Sequence, residues 1–111
     1  MDDGQRDATW KEFRELVNMT PAELDTWLES DESRGAGQHK DGGESTGHAS
    51  GRRIVEILRA KKGDLTDDDY QHMRKVVGYV RRHLAQEPSG EVRDTKWRYS
   101  LMNWGHDPLN G

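Results

Sequence analysis

This chain of 111 residues has no cysteine, three prolines and one phenylalanine, and hydrophobic residues make up 31% of it against 34% charged. The missing cysteine excludes disulfides, thiolate nucleophiles and any zinc site built on Cys. Apolar runs extend over a few residues only, far short of the roughly 20 that span a bilayer. The start, Met1-Asp2-Asp3-Gly4, is acidic where a secretory signal would be basic and then hydrophobic. The sequence therefore predicts a cytoplasmic protein without a membrane partner. So low an apolar content would mean partial disorder if it were spread evenly. It is gathered instead into short periodic runs, enough for one modest core and a single domain over residues 1–111.

Those runs have helical spacing. Trp10, Phe13 and Val17 predict a helix near 9–18, capped from Asp7 or Thr9. Thr20-Pro21-Ala22-Glu23 is a nearly complete helix start, with a hydroxyl cap, proline where no N–H is missed and a glutamate able to reach back. It opens a helix near 20–30 that buries Leu24, Trp27 and Leu28. Residues 31–50, rich in glycine and poor in large apolar groups, read as a mobile loop. Ile54, Val55, Ile57 and Leu58 predict a helix near 51–62, with Gly63 as its stop. Thr66 and three aspartates then begin the longest one, near 66–87, striped by Tyr70, Met73, Val77, Val80 and Leu84. Trp97, Leu101 and Trp104 mark a last helix near 95–104, ended by Gly105. No run alternates as a strand does, so the fold class is an all-α bundle of about five helices, with those at 51–62 and 66–87 expected to pair. All four tryptophans lie in phase with apolar stripes and read as core anchors, Trp97 and Trp104 being the ones to carry function if exposed.

Charge is unevenly placed. Residues 1–50 hold 5 Lys/Arg against 12 Asp/Glu, residues 51–111 hold 12 against 9, and the whole chain is at −4. Such asymmetry points to a polyanion or an acidic protein surface. On the 66–87 helix, Arg74 and Arg81 form one line and Lys75 and Arg82 another, with Gly78 and Ala85 between them. Small residues flanked by cations let a phosphate backbone come close, and each neutralised phosphate releases condensed counterion. Arg52 and Arg53 open the preceding helix where a glycine-rich segment enters it, an arrangement suited to an anion. Arg59, Lys96 and Arg98 complete the predicted basic surface. Base readout by the helix N-terminus is disfavoured, because Asp67, Asp68 and Asp69 would repel phosphate there.

Enzymatic patterns are poor. The five histidines show no HExxH motif, and His72 and His83 are about 16 Å apart along one helix, too far to share a metal. No GxSxG elbow, Walker motif or GxGxxG fingerprint occurs. The sequence predicts a non-enzyme with no cofactor and no metal.

The segments TPAELDTWLESDES, GHASGRRIVEILR, LTDDDYQHMRKVVGYVRRHLAQ and WRYSLMNWGHDP resemble successive motifs of a family of small uncharacterised proteins, a domain of unknown function. The resemblance runs from about Met19 to Pro108 and implies a shared fold. Some members carry a DNA-binding label, so it also tilts function towards DNA. Two expectations follow. One is a DNA-binding protein that contacts the phosphate backbone with low sequence preference. The other is a protein-interaction module whose basic half docks an acidic partner, or is covered by its own acidic half until that is displaced.

Overall fold

The computed structural model describes residues 2–36 and 46–110. Within them lie α1 (Asp3–Leu16), α2 (Pro21–Leu28), α3 (Asp31–Gly35), α4 (Thr46–Arg59), a 3₁₀ turn (Lys62–Asp64), α5 (Asp67–Leu84) and α6 (Lys96–Asn103). The protein is all-α, with six helices and no strand among the described residues.

Three helices start alike. At Asp2, Thr20 and Thr66 a side-chain oxygen accepts the N–H three residues on, and Gln5, Glu23 or Asp69 accepts the cap N–H in return. Each box satisfies two donors that a helix start leaves without partners. The Thr20 and Thr66 starts are the ones the sequence predicts. The first helix begins at Asp3 rather than near residue 9, because its opening turns carry no apolar stripe and only the cap marks them.

Parts of the expected 31–50 loop are helical instead. Asp31–Gly35 is helical, capped by Ser30, and α4 begins at Thr46 rather than at 51. Composition misled because both stretches are held by polar and close-packed contacts instead of large apolar groups. Ser33 is fully buried, and it both donates to and accepts from Asn103 of α6. The expectation for 37–45 lies outside the described residues.

The expected pairing of neighbours is also replaced. The main partners are α1 with α5 and α2 with α4, while α4 and α5 touch only slightly and α6 packs across α2, α3, α4 and α5. Gly51 shows what fixes the crossing of α2, α4 and α6. A Cβ there would come within 2.5 Å of the Asn103 carbonyl oxygen and 2.7 Å of Leu28 Cδ2, so the backbones approach only because no side chain intervenes. The chain turns after α6 at Gly105, whose φ of +81 is costly for other residues.

The core gathers Phe13, Leu24, Leu28, Ile54, Ile57, Met73, Val76, Val80 and Leu101. Truncating one of these, Leu24→Ala for example, costs about 2–5 kcal/mol through lost burial and the cavity left behind. Trp97 and Trp104 are buried, while Trp10 and Trp27 are half-buried against the core. All four thus pack in or against the core, as their phase with the apolar stripes predicts, and the two named as candidates if exposed are the more buried pair. Trp27 Nε1 donates to Asn103 Oδ1 at 2.8 Å, so one buried amide ties α2 and α3 to α6.

Candidate nucleic-acid interface

Helix α5 is long enough to show different faces to different neighbours. Tyr70, Met73, Val77 and Val80 face the core as predicted, and Val76, outside that stripe, is fully buried too. The apolar face is therefore wider than the stripe alone. Alongside it His72, Tyr79 and His83 follow at steps of 7 and 4; the rings of His72 and Tyr79 meet Trp104, and that of His83 meets Tyr79 and Trp97. Tyr79 is sandwiched, 4.2 Å from the Trp104 ring and 5.2 Å from the His83 ring, centroid to centroid. Burial pushes the pKa of both His72 and His83 below the ordinary histidine value. For His72 the charges of Arg53 and Lys75 add to this, and Nε2 of His83 is buried without a partner among the described residues, which further disfavours a charged ring.

The opposite side of α5 is exposed and basic, and the nine predicted contact residues, four on α5, three on α4 and two on α6, separate by what they touch. Arg53 reaches Asp69 at 3.0 Å and clamps α4 to the first turn of α5. Arg59 lies 3.6 Å from Asp25 on α2, and Arg81 lies 3.1 Å from Glu12 on α1. Arg98 is the most deeply committed. It donates twice to Asp107, at 3.0 Å each, and once to the Arg93 carbonyl, with only 18% of its side chain exposed. Burial would raise the Asp107 pKa, but hydrogen bonds from Arg98 and the Leu109 N–H outweigh it and hold that carboxylate below its usual range. Arg98 thus pins the C-terminal segment to α6. Arg52 is exposed on α4, and Lys96 is exposed at the first turn of α6, away from the middle of α5.

Arg74, Lys75 and Arg82 remain together on the exposed side of α5, and none has a carboxylate at ion-pair distance among the described residues. Gly78 lies between them. The Arg82 guanidinium folds back along the helix, so that a Cβ on Gly78 would come within 3.1 Å of its Nη1. Arg82 thus reaches back over Gly78 in the direction of Lys75, seven residues or about 10.5 Å of helix rise away. Arg74 turns instead to a groove of about 390 Å³ between α5 and α1, shared with Glu12 and Arg81.

Lys75 and Arg82 also flank a second cleft, of about 570 Å³, whose walls include Gly47 of α4, Tyr79 and His83 of α5, and Ser100 and Trp104 of α6. Sequence periodicity missed it, since Tyr79 and His83 fall outside the main stripe. The signal was the separate spacing of His72, Tyr79 and His83.

Residues 12–102 match the model of a family described as a protein of unknown function, DUF3140. The chain belongs to the DUF3140 family. The match enters α1 at Glu12, earlier than the resemblance from Met19, and it contains α2 to α5 and most of α6. Neither a curated protein nor a solved structure matches the chain. No helix among the described residues is long and apolar enough to cross a membrane.

Proposed function

We propose that this protein binds DNA through the phosphate backbone, with low sequence preference, using the exposed side of α5. The observation that carries this reading is the trio Arg74, Lys75 and Arg82, grouped around Gly78 and, among the described residues, left without carboxylate partners in a chain where acidic residues outnumber basic ones. In such a chain the expected fate of a cation is an internal ion pair, and Arg53, Arg59, Arg81 and Arg98 meet it. Three cations that do not are available to neutralise phosphates. Contacts of this kind position a duplex without reading bases. The account needs no catalytic group and no cofactor.

A second reading, docking of an acidic protein, draws on a different observation. Carboxylates of the acidic half already meet cations of the basic half, as Asp7 with Lys62, Glu12 with Arg81 and Asp25 with Arg59. An acidic partner would extend that pattern. Binding to a short mixed-sequence duplex at two salt concentrations, with polyglutamate as competitor, separates the two readings. Backbone binding predicts a log–log slope near −3, about −0.9 for each of roughly three phosphates. No duplex binding at low salt, with retention of polyglutamate, would decide for the protein partner.

A further inference from the structure

We propose that the cleft between α4, α5 and α6 is a binding site for a small organic phosphate of nucleoside monophosphate size, its phosphoryl group held by Lys75 and Arg82. The inference starts from what lines the cleft. Among the described residues it presents two cations, the hydroxyl-bearing Tyr79 and Ser100, and the indole of Trp104, but no carboxylate. The groove between α1 and α5 contains Glu12, and the open depression beside α2 contains Glu23 and Asp107. In a protein with 21 Asp/Glu against 17 Lys/Arg, a cleft with no acid among its described lining residues favours negative charge.

Shape and the aromatic wall say what else the ligand carries. A volume of about 570 Å³ falls within the range of small-molecule sites and exceeds the needs of a bare anion. Trp104 covers one side of the Tyr79 ring and His83 the other. What Tyr79 can offer a ligand is thus its ring edge, its hydroxyl being hydrogen-bonded to Ser100, and the electropositive edge of an aromatic ring suits the electron-rich face of a flat heterocycle. Gly47 keeps the wall open, since a Cβ there would come within 3.1 Å of Trp104 Nε1. The folded-back Arg82 and Lys75 lie on one flank and supply the two positive charges that match a phosphate monoester. The site shares these two cations with the duplex reading but stands without it, because Arg74 belongs to the other groove.

The test is a titration of the full-length chain with adenosine monophosphate, inorganic phosphate and adenosine, followed by amide and indole N–H chemical shifts. Adenosine monophosphate is expected to move the Trp104 indole, Gly47 and Ser100 signals saturably. Inorganic phosphate should bind more weakly, and adenosine hardly at all. Lys75→Ala with Arg82→Ala should weaken binding about tenfold or more, the loss of at least one charge-assisted contact. Gly47→Ala should weaken the nucleotide and spare duplex binding. Arg74→Ala should weaken duplex binding and spare the nucleotide, so that failure of either proposal is visible apart from the other. The assignment is overturned by no saturable shift at millimolar nucleotide, by shifts as large around Arg74 as around Trp104, or by unchanged affinity in a folded Lys75/Arg82 double variant.

Discussion

The two halves of α5 treat charge in opposite ways. In the first turn, Asp67 is bound by Arg6 of α1, while Asp69 accepts the Thr66 N–H and an Arg53 hydrogen bond. That backbone bond and Arg53 hold the Asp69 carboxyl below its usual range despite partial burial. Beyond the first turns, Arg74, Lys75 and Arg82 have no such partners among the described residues. Asp67 and Asp69 at the acidic end are built into the fold, whereas at the basic end, among the described residues, only Arg81 is, through Glu12. Charged residues alike in the sequence thus divide into those that hold helices together and those that stability does not require.

That division can be tested by substitution. The largest effect is expected at Arg98→Ala, which strips Asp107 of two charge-assisted hydrogen bonds in a mostly buried setting. Urea unfolding should show a loss of about 2 kcal/mol, as for hydrogen bonds to charged groups. An unchanged midpoint would mean that Arg98 is as free as Arg82. Next comes Thr66→Ala, which removes the cap of the acidic turn and should cost about 1 kcal/mol by the same measurement. By contrast, Arg82→Ala should alter stability by no more than about 0.5 kcal/mol, since its side chain is exposed and has no ion-pair partner among the described residues. A loss comparable with that of Arg98→Ala would erase the distinction.

Acidity probes the third face of α5. The pKa of His72 and of His83 is lowered in the folded protein from the ordinary 6.5, in each case chiefly by burial. Unfolded chains take up protons at these positions from about pH 6.5 downward, while the folded protein keeps both rings neutral. The stability they contribute is therefore fully present above about pH 6.5 and is lost as pH falls through the folded values. Melting temperature should decline between about pH 7 and pH 5, and His83→Gln should make the decline shallower. A flat profile over that interval would contradict the neutral, buried assignment.

Much of this was legible in the chain. Thr20, Thr66 and the stripes behind them specify helix starts and core faces because capping and periodicity are local. Pairing was not legible. The choice of α1 for α5 and of α2 for α4 depends on non-local contacts such as the approach of Gly51 to the Asn103 carbonyl, for which sequence spacing has no sign. Ser33 escaped for a related reason, since a buried serine looks like any loop serine until Asn103 is placed beside it. The basic residues could be named but not sorted. Arg98 and Arg82 look equivalent in the sequence, and only the position of Asp107 separates the cation that holds the fold from the one that does not.

The central claim is that α5 keeps Arg74, Lys75 and Arg82 for a phosphate backbone. Its most direct test is the salt dependence of duplex binding by the wild-type chain and by the triple variant Arg74→Ala, Lys75→Ala, Arg82→Ala, each with its folding checked by melting. The account predicts a log–log slope near −3 for the wild type and one close to zero for the triple variant, at nearly unchanged melting temperature. Equal slopes and affinities in the two folded proteins would contradict it.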